Sequence, residues 1–206
     1  MKDFWDAQHT AKNTRYITGV TGLRGLRNLH KSAFPASLDG MTVLCIGVGD
    51  GTQVRDAVAE GATVYGADIS KVGIDGVADV LSGHFMYPRF DQMPSNFFDL
   101  VFSRAVTCHL DNAALSHHLE HGIRSLKASG SYFIQSCYST AGDNKGDKSE
   151  LITETMMQQG GVWRSYEFMA RTITKAGGVI VELPLTCSFP EPPGLAWHAL
   201  HVKRSL

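Results

Sequence analysis

Four short, unbroken apolar runs recur through the middle of the chain, and they restrict its possible folds more than any other feature. They are residues 41–48 (MTVLCIGV), 62–69 (ATVYGADI), 97–106 (FFDLVFSRAV) and 130–137 (GSYFIQSC). A half-exposed strand alternates apolar and polar residues. A strand covered on both faces, as in a parallel sheet, reads as continuous apolarity. Helical patterns lie between the runs. Val54, Ala57 and Val58 share a face that stops at Gly61. Leu115, Leu119, Ile123 and Leu126 repeat at steps of three and four, and Gly130 follows. Ser165 is placed to cap a helix bearing Phe168, Met169, Ile173 and Ala176, which ends at Gly177 and Gly178. Strand and helix in alternation predict a doubly wound α/β domain.

The end of the chain breaks that rhythm. Residues 178–185 (GVIVELPL) and 195–203 (LAWHALHVK) are strand-like with no helix between them, and the turn-rich segment 188–194 (SFPEPPG) joins them. Two strands joined in this way should pair antiparallel. The expected architecture is therefore one Rossmann-like domain over residues 1–206, mostly parallel and closed by an antiparallel hairpin strand. Residues 1–38 precede the first strand as a cap. Residues 138–164 form a lid-like insertion on the edge where such sheets bind ligands.

Composition excludes several classes. Apolar residues make up 43% and charged residues 19% of the 206, too apolar for a disordered chain. No run approaches the roughly 18 apolar residues of a membrane span. The opening MKDFWD lacks the apolar stretch of a secretion signal, so the expected compartment is the cytoplasm. A net charge of −1 argues against general nucleic-acid binding. Cys45, Cys108, Cys137 and Cys187 are widely spaced and are expected to be reduced thiols. Residues 1–34 carry six Lys and Arg against Asp3 and Asp6, an excess that suits a solvated surface or a cap over an anionic ligand.

The chemistry concentrates at strand ends. Gly47, Gly49 and Gly51 follow the first run in a G-x-G-x-G turn, where glycine lets the backbone bend sharply and approach a ligand. A dinucleotide fingerprint needs G-x-G-x-x-G, but the sixth position here is Thr52, which favours S-adenosylmethionine over NAD. Asp68 follows about twenty residues on, where a carboxylate accepts both ribose hydroxyls. Asp91, after a short third strand at residues 85–90, is placed to accept from an adenine amino group. Phe90 and Ile69 would sandwich the ring, and the backbone of Gln92 would add a contact.

Taken in order, VLCIGVGDG, YGADIS, RFDQMP, FDLVFSRAVTCHL and LKASGSYFIQS resemble the small-molecule class I S-adenosylmethionine-dependent methyltransferases over roughly residues 41–137. The resemblance implies a seven-stranded sheet with a reversed final strand, S-adenosylmethionine as methyl donor and no required metal. The family usually carries an acidic residue two positions before the first glycine of the turn, and this chain has Cys45 there.

The reacting edge should be residues 103–110 (SRAVTCHL), with the backbone of Ser103 and Arg104 bordering the methionine moiety. His109 is the candidate general base, because imidazole titrates near neutral pH. Methyl transfer also gains from alignment alone, and then needs no base. The expected acceptor is a small molecule, modified on oxygen or nitrogen and carrying an anionic group, for instance a sugar or secondary metabolite. Trp5, Arg15, Tyr16, Trp163 and Arg164 would line its pocket. His117 and His121 share a helix face but lack the further ligands a metal needs. Neither the G-x-S-x-G elbow nor the P-loop pattern is present. The same motifs would serve a hydrolase, lyase or cyclase that uses S-adenosylmethionine, or a non-catalytic cofactor-binding subunit. An NAD-dependent oxidoreductase fits less well. Oligomeric state leaves no mark in the sequence.

Overall fold

The computed structural model describes residues 1–12, 22–30, 33–139, 161–181, 185–188 and 195–205. The expected pocket residues Arg15 and Tyr16, and most of the lid-like insertion, lie outside them. The elements run α1 (Lys2–Thr10), α2 (Gly22–His30), β1 (Thr42–Ile46), α3 (Thr52–Ala59), β2 (Thr63–Asp68), α4 (Lys71–Asp75), β3 (Gly83–Met86), β4 (Phe98–Arg104), α5 (Asn112–Ser125), β5 (Leu126–Ser139), α6 (Tyr166–Lys175), β6 (Gly178–Ile180), β7 (Leu185–Ser188) and β8 (Leu195–Arg204).

Seven strands lie side by side in the order β3-β2-β1-β4-β5-β8-β6, and the short β7 also pairs with β8. The pairs β3–β2, β2–β1, β1–β4 and β4–β5 are parallel, and β8 is antiparallel to β5, β6 and β7. This is the doubly wound, mostly parallel sheet with a reversed C-terminal strand that the sequence predicts. The run at 178–185 is divided, however: β6 and β7 are separate strands, each paired with β8.

The continuous apolar runs are explained by burial on both faces. On β1, Leu44 and Ile46 join the core beneath α5 and α6, with Leu115, Leu119, Ile123, Met169 and Ile173. Val43 and Cys45 alternate into the opposite core, with Leu23 and Leu26 of α2, Val54 and Ala57 of α3, and Ile74 of α4. One helix cap matches its sequence signal, and a second was not foreseen. Ser165 Oγ accepts from Phe168 N at 3.1 Å at the start of α6, and Asp111 Oδ1 accepts from Ala114 N at 2.8 Å at the start of α5.

Two boundaries differ from expectation. The third strand stops at Met86, four residues short of Phe90, and a 3-10 turn over Arg89–Gln92 follows. Tyr87 and Phe90 pack under α5 instead of in the sheet. Leu126 opens β5 and does not end the preceding helix. Among the described residues, no helix is long and apolar enough to cross a membrane.

Candidate functional site

All the parallel strands end on one edge, and the Gly turn lies at its centre. Gly47, Gly49 and Gly51 have φ of 78°, 56° and 83°, backbone that residues with a Cβ adopt only under strain. Gly47 is tied to β2 by its N–H, which donates to Ala67 O at 2.7 Å. A Cβ on Gly47 would fall 2.2 Å from Val106, and one on Gly51 would fall 2.2 Å from Val77. The turn is thus wedged between the loop after β4 and the segment after α4.

Asp68 ends β2 beneath this turn. Its Oδ2 accepts from Val48 N at 2.9 Å and its Oδ1 from Ser70 N at 2.9 Å. A carboxylate offers about four lone-pair sites, so two protein donors leave capacity for ligand hydroxyls. Burial pushes the Asp68 pKa up, while the N–H groups of Ser70 and Val48 and the charge of His9 pull the other way. Ile69 follows, half-buried, and Tyr87 N donates to Asp68 O at 3.0 Å where the chain leaves β3.

The residues expected around adenine are arranged differently. Phe90 is 3% exposed and points into the core beneath α5, where it stacks on His117 with ring centroids 6.2 Å apart. Both of its faces are thus covered by protein, and it cannot sandwich a ligand ring here. Asp91 is exposed beside the last turn of α5, where its carbonyl accepts from Arg124 Nη2 at 3.1 Å. Gln92 lies against the Arg89 guanidinium. What the strand ends do bring beside Asp68 is the Met86–Tyr87–Pro88 turn, a segment the sequence assigns to the third strand.

The β4 edge carries the remaining groups. Ser103 is fully buried, and its Oγ accepts from Tyr132 Oη at 3.2 Å, so only its backbone borders the edge. Arg104 ends the strand with Nη1 buried and unpaired. Ala105 follows at φ 55°, a left-handed conformation that is costly for alanine and turns the chain into the reacting loop. His109 closes that loop, with Trp5 of α1 standing edge-on to it at 4.9 Å between centroids. Burial lowers the His109 pKa, but the charge and hydrogen bond of Cys108 outweigh it, and the net shift is upward.

Helix α1 lies across this edge. Asp6 Oδ1 accepts from Ser70 Oγ at 2.6 Å and from Val72 N at 3.4 Å, and a Cβ on Gly73 would meet the His9 ring at 2.8 Å. The contacts of α1 thus span from the Asp68 side to His109. No local pattern signals these pairings, because their partners lie more than sixty residues away. The cationic excess of the N-terminal region is partly neutralised within the protein, as Lys2 pairs with Asp6 and Arg27 with Glu60.

Of the expected pocket residues, Trp5 borders His109, and Trp163 is half-buried in the segment that returns to the reacting loop. There Gly161, at φ 99°, passes so close that a Cβ would fall 2.2 Å from Cys108 O, and Val162 N donates to Cys108 O at 2.6 Å. Arg164 is no pocket wall. It is 2% exposed and donates to Thr107 O at 2.8 Å, to Leu110 O at 2.5 Å and twice to Asn112 Oδ1. A long cation reads as a surface anchor in a sequence, but here it is a structural clamp. His117 Nε2 lies 2.9 Å from Pro88 O, which fixes it as a donor, and no metal-binding group occurs among the described residues. Cys45 and Cys108 are buried cysteines.

Residues 44–134 match the family described as a methyltransferase domain. No protein of curated function matches the sequence. Among solved structures, the chain is similar to Haemonchus contortus phosphoethanolamine N-methyltransferase 2, with TM-score 0.71 and 18% identity over 100% of this chain and 60% of that one. It is similar to Burkholderia thailandensis 1,6-didemethyltoxoflavin-N1-methyltransferase, with TM-score 0.70 and 14% identity over 99% of this chain and 86% of that one. It is also similar to the 4+2 cyclase SpnF, with TM-score 0.62 and 14% identity over 82% of this chain and 76% of that one. The match over residues 44–134 is thus to a methyltransferase domain, and the fold around it is the one these solved structures share.

Proposed function

We propose that this protein transfers a methyl group from S-adenosylmethionine to an oxygen or nitrogen of a small acceptor, one that carries an anionic group. The observation that carries the reading is the pairing of the Gly turn with Asp68. Three glycines at positive φ leave room for a ligand against the backbone, and a strand-end carboxylate holds spare acceptor capacity beside them. The backbone of Gly47, Gly49 and Gly51 would hold the cofactor, Asp68 would accept its ribose hydroxyls, and Ile69 with the turn at Tyr87 would border its adenine. Ser103 would contribute its backbone and Arg104 would border the methionine end.

Bound in this cleft, S-adenosylmethionine supplies a sulfonium methyl group for in-line displacement. The chain's own contribution is alignment and exclusion of water. Helix α1, within the N-terminal cap, covers the cleft from Ser70 to His109, and Trp5 and Trp163 offer aromatic surface to the acceptor. His109 would take the acceptor's proton when it is neutral. The neighbour that is a cyclase has the same fold, so the decisive assay must see the methyl group move. Incubation with S-adenosylmethionine labelled in the methyl group, across phosphorylated and carboxylated metabolites, should yield S-adenosylhomocysteine and a labelled product. Calorimetry that detected NAD binding and no S-adenosylmethionine binding would overturn the reading.

A further inference from the structure

Arg104 occupies an unusual position for a cation. The register of β1 with β4 sets Cys45 opposite Phe102, and both side chains enter the core beneath α2, α3 and α4. Arg104 lies two residues beyond Phe102, on the same face, at the level where β1 gives way to the Gly turn. Its Nη1 is buried and makes no hydrogen bond. Among the described residues, no carboxylate pairs with it. The opposite charge it senses is that of Asp50, across the turn, while burial acts to lower its pKa. A guanidinium never gives up its proton at working pH, so the charge is permanent. A buried N–H with no acceptor costs free energy, and a buried cation costs more. Such a group is satisfied when an anion arrives.

Cys45 supplies no charge on this face. It is fully buried, and burial holds its thiol far above the ordinary range, so it stays protonated.

We propose that Arg104 binds the α-carboxylate of the cofactor's amino-acid moiety, so that the site selects adenosyl ligands that keep this carboxylate. This rests on the reading of the cleft as an S-adenosylmethionine site. The chain thus anchors the amino-acid end with a cation from β4, beside a neutral thiol on β1. Methylthioadenosine, which lacks the amino-acid end altogether, should ignore Arg104.

The test compares three probes by calorimetry: S-adenosylhomocysteine, its decarboxylated amine and methylthioadenosine. A charge-assisted hydrogen bond in a sheltered site should make the wild type favour S-adenosylhomocysteine over the amine by about tenfold or more. Arg104→Gln should bind the two alike, Arg104→Lys should keep part of the preference, and methylthioadenosine should bind all three proteins equally. That last measurement also shows that each variant retains a formed site. A full preference in Arg104→Gln, or no preference in the wild type, would overturn the proposal. If neither S-adenosylhomocysteine nor methylthioadenosine bound the wild type, the cofactor reading itself would fall, and this inference with it.

Discussion

Arg164 and Asn112 are joined by two hydrogen bonds, with Nε at 3.1 Å and Nη2 at 3.0 Å from the same Oδ1. The same guanidinium also holds the carbonyls of Thr107 and Leu110. One side chain therefore fixes both ends of the loop that presents His109. Replacing it with Met would strand buried acceptors, each costing about 1–3 kcal/mol. Arg164→Met is expected to lose about 3 kcal/mol or more in denaturant unfolding, and Arg164→Lys to lose less, since a point donor cannot reach all three acceptors. A variant as stable as wild type would show that the clamp does not hold the loop.

Asp68→Ala should remove most affinity for S-adenosylhomocysteine. Two effects combine: the ribose acceptor disappears, and Val48 N loses the acceptor that positions it in the Gly turn. Calorimetry reads the loss directly, and an unchanged dissociation constant would remove Asp68 from the site.

His109→Ala should lower turnover with little change in cofactor affinity. A base acts only when neutral, and the His109 pKa is raised above its ordinary 6.5. Turnover of the wild type should therefore fall as pH drops through a value above 6.5, and the variant should lack that limb of its pH profile. Wild-type turnover in the variant would assign His109 to packing against Trp5.

Three other histidines make stability depend on acid. His30 and His201 are buried on either side of Phe133, and burial pushes each down to about 4. His118 is pushed down to about 3 by burial. The Tyr132 hydroxyl donates to Ser103 and lies 2.5 Å from His118 Nε2, so the single phenolic proton leaves the imidazole to supply its own N–H. Below pH 6.5 the unfolded chain takes up protons that these folded sites refuse, so stability falls as pH drops from about 6.5 towards 4, and for His118 towards 3. Thermal unfolding across that range should show a falling Tm, and His201→Gln should flatten the slope.

The sheet was legible because its evidence is local. Each apolar run is buried on both faces, and Ser165 caps α6 from the position next to it. Gly47 to Gly51 and Asp68 were legible for the same reason: a turn and a strand end are short-range features. The adenine side was harder to place because residues 85–90 are apolar except for Arg89, and composition does not distinguish a strand from a turn packed under a helix. Arg164 and Asp6 depend on partners more than fifty residues away, so their roles become visible only in three dimensions.

The position of β8 bears on how the protein is made. It lies between β5 and β6, yet it is translated after both. Until residues 195–204 leave the ribosome, β5 is an open edge, with Tyr132, Phe133 and Ile134 facing the two core layers of an unfinished sheet. An unpaired strand of this kind recruits other strands, including those of neighbouring nascent chains. The half bearing the Gly turn is synthesised early, but the other half can close only after its last strand emerges. A chain stalled a few residues short would thus be an aggregation hazard, even with the Gly turn and Asp68 already made.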